Sequence, residues 1–344
     1  MLTHAYTRSA VLTLFALTCF AAAQMLAEDT SDSSNLPAYR STVSEVRVSF
    51  FATDENNHPL ATLTSSDFAI VDNERVVRNF RSFVHSDETS LDVVALVDMS
   101  ESVAPRLRVA LRDVLQLVAQ EQSIADDNIA VLSFGGTPGG EASGSLQPAV
   151  LCSSGCRSSD SVGRLLAGKS GGATPLFDGL VFAADFISQH RRSVDHSNVR
   201  PVLILFSDGY DTISLHSARE ALQAVLDEGA LIYCVDMGKS ENQSPTQPWG
   251  NQTSGNQAPG SAFLRQVSEA TGGRYFSVPR GNSRQNGAAA VLNAVLEDLR
   301  ASYVVTYNLP SHEAGFHSLR LLPTHNLNLT FHSRNGYEYE PSSR

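Results

Sequence analysis

Positive charge is scarce in this 344-residue sequence: 25 lysines and arginines stand against 36 aspartates and glutamates, a net charge of −11. There is no basic patch to neutralise phosphates, which argues against nucleic acid or an anionic membrane surface as a partner. Long apolar runs are short of what a bilayer needs, since Val11 to Phe20 would not span one comfortably. Cysteine is limited to four residues, too few for a dense disulfide scaffold, and tryptophan to one. What remains is an ordinary globular composition, 42% apolar and 18% charged, in a chain long enough for two domains.

The first 23 residues read as a secretory signal. His4 and Arg8 precede the apolar run, and Ala21-Ala22-Ala23 offers a small-residue cleavage site before Gln24. Cys19 is set in a poor version of a lipoprotein box. The mature chain, secreted or delivered to the periplasm or envelope, would then keep Cys152, Cys156 and Cys234. In an oxidising compartment the first two, separated by Ser153-Ser154-Gly155, can close a small disulfide loop, while Cys234 lies in an apolar strand as a buried thiol. A zinc site lacks its second Cys/His pair.

Residues 24–43 are polar and Ser/Asp-rich, a linker. Residues 44–90 carry strand patterns separated by turn material: Val46 to Phe50, Phe68 to Val71 and Val76 to Phe80. From 91 to 300 the pattern alternates between buried strands and helices, predicting an α/β fold with a doubly wound, mostly parallel sheet. Its strands are Leu91 to Asp98, Ile129 to Phe134, Leu146 to Leu151, Val202 to Gly209, Ala230 to Val235 and Arg274 to Val278. The helices are expected at Val103 to Gln120, Ser159 to Ala167, Leu176 to His190, Leu215 to Glu228, Ala262 to Thr271 and Ala288 to Leu299, with residues 168–175 as a loop. Residues 301–344 return to strands at Ser302 to Asn308, Phe316 to Leu322 and Asn328 to Ser333. These are too few to stand alone, so the two ends are expected to combine in a smaller β-sandwich domain with the α/β domain inserted between.

The chemistry concentrates at strand ends. The first α/β strand delivers Asp98, Ser100 and Ser102 at alternate positions of a tight turn, an oxygen set suited to a hard cation such as Mg²⁺. The same residues also suit a helix N-cap at Ser102 with Asp98 bonded to nearby amides. Asp208 ends a second parallel strand, and strands of an open parallel sheet share one ligand-binding edge where strand order reverses. If the strand Leu146 to Leu151 runs antiparallel, the loop holding Thr174 returns to that edge and the five oxygens converge.

Asp98-Met99-Ser100-Glu101-Ser102, Gly172-Ala173-Thr174-Pro175-Leu176-Phe177-Asp178 and Phe206-Ser207-Asp208-Gly209 together resemble the von Willebrand factor type A domain with its metal-ion-dependent adhesion site. The resemblance implies Ser100, Ser102 and Thr174 as hydroxyl ligands and Asp98 and Asp208 as direct or water-mediated ligands of Mg²⁺, Mn²⁺ or Ca²⁺. A partner protein's Asp or Glu would complete the shell. Glu101 stands where such turns often carry glycine. Ser66-Asp67-Phe68, Tyr303 to Tyr307 and Arg334-Asn335-Gly336-Tyr337 extend the likeness to the VWFA-related domain proteins found mainly in Acidobacteria.

Other signals lead away from catalysis. Gly163 to Ser170 matches the phosphate-loop spacing, but it follows a helix instead of joining a strand to one. An aspartyl nucleophile would want a second carboxylate where Ser100 stands. His317, His325 and His332 lack ligand spacing and read as surface residues. The polar stretch 239–260 carries Trp249, either a partner contact at the metal edge or an incidental residue of an insertion. The functions left are a secreted, cation-dependent protein-binding module, or a structural envelope component in which the metal only holds loops together.

Overall fold

The computed structural model describes residues 45–103, 128–137, 147–154, 156, 169–170, 172–193, 199–238, 260–278 and 287–341. The chain divides into Met1–Val43, outside the described residues, and Ser44–Arg344, to which all that follows refers. The proposed signal and linker, the helices expected at 103–120 and 159–167, and Trp249 also fall largely or wholly outside the description.

In chain order, β1 (Glu45–Thr53), β2 (Phe68–Asp72), β3 (Arg75–Val77) and β4 (Ser82–His85) come first. The α/β segment then supplies β5 (Ser90–Asp98), β6 (Ile129–Phe134), β7 (Gly136–Thr137), β8 (Ala149–Cys152), β9 (Lys169–Ser170), α1 (Leu176–Ser193), β10 (Val199–Ser207), α2 (Ala218–Asp227), β11 (Leu231–Asp236), α3 (Gly260–Thr271), β12 (Tyr275–Ser277) and α4 (Gly287–Arg300). The chain closes with β13 (Ser302–Asn308), β14 (Gly315–Pro323), β15 (Thr330–Ser333) and β16 (Gly336–Tyr339).

The central sheet has six strands in the order β12-β11-β10-β5-β6-β8. All its pairings are parallel except β6 with β8, which is antiparallel. Near-continuous apolar runs are what such a sheet requires, because both faces are covered. In β5 the alternation sends Val94 and Leu96 to a cluster with Leu180 and Ile187 of α1, Val225 of α2 and Phe263 of α3. Val93, Ala95 and Val97 join the opposite cluster with Val291, Leu292, Val295 and Leu299 of α4. Strand order reverses at β5, which has β6 on one side and β10 on the other. The carboxyl ends of β5 and β10 therefore flank the crevice that such a sheet reserves for ligands.

The flanking strands form two antiparallel four-stranded sheets, β15-β1-β13-β4 and β16-β14-β2-β3. Each mixes strands from both ends of the chain: β1 pairs with β13 from Glu45↔Asn308 to Phe51↔Ser302, and β2 with β14 from Asp72↔Leu319 to Phe68↔Pro323. Val48, Phe50, Phe68, Ile70, Tyr303, Val305, Tyr307, Leu319 and Leu321 from the two sheets share one apolar cluster. The strands leading into and out of the α/β segment are themselves paired, His85 opposite Tyr303. At that junction Ser86 Oγ donates to the Arg300 carbonyl.

Several sequence expectations need correcting. Residues 215–217 are not helical: Ser217 caps α2 in a reciprocal capping box with Glu220, so the helix starts at Ala218. The stretch 168–175 is not wholly loop, since Lys169–Ser170 pairs with Gly136–Thr137. The strand expected from Val76 to Phe80 stops at Val77, and the short strands β4, β7 and β16 are additional to those the sequence pattern predicts. His317 and His332 are not surface residues. His317 is 1% exposed beside Asp72, and the His332 ring stacks on Phe51 at 4.4 Å. Burial pushes the His332 imidazole down to about 4, so it packs as a neutral aromatic ring. Cys152 and Cys156 are bonded, with Cα atoms 5.6 Å apart, and Cys234 is a buried free thiol.

One buried carboxylate makes the fold pH-sensitive. Asp298 of α4 is fully buried, and its Oδ1 accepts from the Arg274 guanidinium at 2.8 Å. Burial nonetheless outweighs the arginine and pushes Asp298 up to about 7. A carboxylate raised this way stabilises the fold while protonated, and that contribution is lost as pH rises from about 4 to about 7. Asp298→Asn should therefore gain stability relative to the native protein between pH 4.5 and pH 7.5, read from denaturant midpoints. A difference independent of pH would refute this.

Candidate metal site

The crevice at the carboxyl ends of β5 and β10 is built around Asp98, fully buried as the last residue of β5. Its Oδ1 accepts the Ser100 N–H at 2.9 Å, which tightens the Asp98-Met99-Ser100 turn. Its Oδ2 accepts the Ser207 hydroxyl from the neighbouring strand at 2.8 Å. The turn is tied to β6 by the Met99 N–H on the Phe134 carbonyl at 2.8 Å, and its far side closes with the Val103 N–H on the Ser100 carbonyl. Ser100 and Ser102 thus project on one side, their hydroxyl oxygens 3.3 Å apart. Ser102 Oγ donates to Asp208 Oδ2 at 2.7 Å, which links the turn to the end of β10.

Thr174 arrives from the segment before α1 and is 5% exposed. Its N–H donates to Thr212 Oγ1 at 2.7 Å, and its carbonyl accepts the Thr212 N–H at 2.9 Å. The loop after β10 therefore carries the threonine loop with it. Ser100, Ser102, Thr174 and Asp208 line one open cavity of about 430 Å³, together with Glu101, Gly172, Tyr210 and Thr212. Asp98 lies beneath, hydrogen-bonded to the Ser100 backbone. All five residues singled out in the sequence meet here.

Two glycines let the backbones approach. Gly135 at the end of β6 has φ of +73°, and a Cβ there would lie 3.1 Å from the Ala173 carbonyl oxygen and 3.3 Å from Asp98 Oδ1. Gly209 has φ of +77°, and a Cβ would come within 2.3 Å of the Gly260 carbonyl oxygen at the start of α3. A side chain at Gly135 would crowd the Thr174 segment against Asp98, and one at Gly209 would push the end of β10 away from the start of α3.

The donor set fits a hard divalent cation. Burial, and to a smaller degree the nearby Asp208 carboxylate, push Asp98 up to about 6 against the hydrogen bonds from Ser100 and Ser207. Two carboxylates held in one low-dielectric place without a cation repel each other, and a divalent ion would remove that conflict. Among the described residues no three His, Cys, Asp or Glu side chains converge. Zinc-type ligation is not what these residues offer: the five singled out in the sequence bring two carboxylates and three hydroxyls, and Glu101, Tyr210 and Thr212 add further oxygens to the lining.

Sequence reasoning passed over three residues that shape the cavity. Ser207 reads in the sequence as no more than a neighbour of Asp208, although its hydroxyl holds Asp98 and accepts the Gly209 N–H at 3.0 Å. Gly135, after the strand Ile129 to Phe134, could have been suspected from a glycine at a strand end. Thr212 gives no local signal, because its contact with Thr174 spans 38 positions.

No curated protein matches the chain. Solved structures similar to it include a von Willebrand factor type A protein from Catenulispora acidiphila, 13% identical over 88% of this chain and 75% of that one, with a TM-score of 0.42. Proximal thread matrix protein 1 from the mussel byssus is 12% identical over 60% of this chain, with a TM-score of 0.42, and this chain spans 48% of its length. The manganese-loaded TRAP protein of Plasmodium vivax is 16% identical over 80% of this chain and all of that one, with a TM-score of 0.38. The sequence pattern of the von Willebrand factor type A domain matches residues 92–283, more than half of the 344, and takes in every residue of the cavity. The chain belongs to the von Willebrand factor type A domain family.

Proposed function

We propose that this protein is a secreted or envelope-located binding module that captures an Asp or Glu of a protein partner through a divalent cation, Mg²⁺, Mn²⁺ or Ca²⁺. The observation that carries the reading is the meeting of Ser100, Ser102, Thr174 and Asp208 in one open cavity above the buried Asp98. Asp98 and Asp208 would hold the ion, with Ser100, Ser102 and Thr174 as hydroxyl donors. When bound, the cation supplies an electrophilic position that a carboxylate oxygen can take from water. The protein's own part is positional: Ser207 aims Asp98, the Ser102–Asp208 bond joins two strand ends, and Thr212 holds the threonine loop.

The reading is non-catalytic: among the described residues the cavity lining contains no His, Cys or Lys, and its hydroxyls and carboxylates are given to the cation and the loops that hold it. Glu101 in that lining favours one alternative, a structural envelope component in which the chain's own carboxylates serve an ion that only stabilises the loops. Secretion rests on the signal-like first 23 residues. Among the described residues, no helix is long and apolar enough to cross a membrane. The flanking strands support the narrower likeness to VWFA-related domain proteins, with 44–90 and 301–344 as the two halves of a β-sandwich and 91–300 inserted between them.

Four outcomes are expected. Asp98→Ala should abolish both the Mg²⁺-induced thermal shift and capture of an acidic partner, whereas Ser153→Ala, just past β8 at the opposite edge of the sheet, should change neither. Because the cation would bind only the folded chain, Mg²⁺ at about 100 times its dissociation constant should add about 2.7 kcal/mol of stability; calorimetry without Mg²⁺ or Mn²⁺ binding would end the reading. Intact mass of exported protein should place its first residue near Gln24, and retention of Met1 would rule that out. Deleting residues 310–344 should destabilise the strands of residues 44–84, and a 44–84 fragment that folded alone would contradict the shared sandwich.

A further inference from the structure

The loop from Tyr210 to His216 is fastened to the start of α1 by the side chains of Asp211 and Ser214 and by the backbone N–H groups of Leu215 and His216. Asp211 accepts the N–H groups of Phe177 and Ser214, each at 3.3 Å, and Ser214 Oγ accepts the Asp178 N–H at 3.1 Å. Asp178 in return accepts the N–H of Leu215 at 3.1 Å, the N–H of His216 at 3.0 Å and the His216 Nδ1 contact at 2.8 Å. These hydrogen bonds hold the Asp178 carboxyl below its usual range, although burial is the largest single influence and opposes them.

The apolar members point outward. Tyr210 is 51% exposed, Ile213 49% and Leu215 93%. Eight large apolar side chains are exposed among the described residues, and three of them fall in this six-residue stretch, so chance scatter over the surface does not account for it. Tyr210 and Thr212 line the candidate metal cavity, and the exposed Ile213 and Leu215 follow them within three positions of the chain. Glu101 lines the same cavity, in a chain whose net charge is already −11.

We infer that this loop is the specificity rim of the site, fitted to a partner segment that offers a single carboxylate flanked by apolar side chains. The inference rests on the cation-bridged reading above and names the partner's chemistry. A fixed loop displaying apolar side chains loses little freedom when it is covered, which is what preorganised recognition surfaces exploit. Burying those side chains against apolar neighbours is favourable, and an exposed aromatic beside a charged anchor is a common centre of binding energy. An acidic run is the wrong partner, because only one carboxylate can be used and the others would face Glu101.

Three blocked, fluorescein-labelled peptides test the rim: one Glu between Leu and Phe residues, the same Glu between Ser residues, and four consecutive Glu residues. Polarisation in saturating Mg²⁺ should show the native protein preferring the first by about tenfold or more over the other two. The double variant Ile213→Ser, Leu215→Ser should lose that preference while calorimetry shows its Mg²⁺ affinity unchanged. Equal binding of the peptides, tighter binding of the four-Glu peptide, or a preference that survives in the variant would overturn the rim. If Mg²⁺ binds but no peptide does, the rim fails and the ion site stands. If Mg²⁺ does not bind at all, both readings fall.

Discussion

Everything at the candidate site depends on keeping a carboxylate where water cannot reach it. Asp98 is fully buried between two strands, and its position is tolerable only because Ser207 and the Ser100 backbone each give it a hydrogen bond. Those two partners fix the architecture in turn. The Ser207 bond ties the ends of β5 and β10, while the Ser100 bond bends the chain so that two hydroxyls face outward. Asp208 then finds a donor in Ser102, and the cavity follows from the arrangement of these few groups.

The same strands show how much of the fold was legible in the sequence and where legibility stopped. Val93 to Val97 and Val202 to Phe206 are unbroken apolar runs, and such runs signal a sheet covered on both faces with little ambiguity. The five oxygen-bearing residues could be named because each sits at the end of such a run or in a loop that topology returns to the same edge. What escaped was set by long-range contact. Thr212 matters through Thr174, and no local pattern announces that partnership. His317 and His332 looked like surface residues because an isolated histidine carries no periodic signal. Their burial comes from pairing and packing across the chain: His317 faces Asp72 and His332 stacks on Phe51.

Element boundaries failed where side chains, and not hydrophobic period, decide them. Leu215 fits the helical pattern of the residues after it, yet Ser217 and Glu220 together stop the helix at Ala218 and leave Leu215 in solvent. That early stop gives the loop its length. The flanking sheets behave similarly: the two-residue turn at Asn73 and Glu74 takes positive φ at both positions, a geometry suited to a tight hairpin, and it sets the register of β2 on β3.

The pairing of β4 with β13 sets a path for mechanical load. The α/β segment is entered and left through two strands that are hydrogen-bonded to each other, at the end of β5 remote from Asp98. The nine residues of β5 span about 30 Å between that junction and the cavity. A pull applied at the cavity therefore runs lengthwise along β5 and β10 and meets their ladder in shear, so many interstrand bonds share it at once. At the junction it passes into β4 and β13, which are paired antiparallel over four residues, so the load of a captured partner would reach both ends of the chain together.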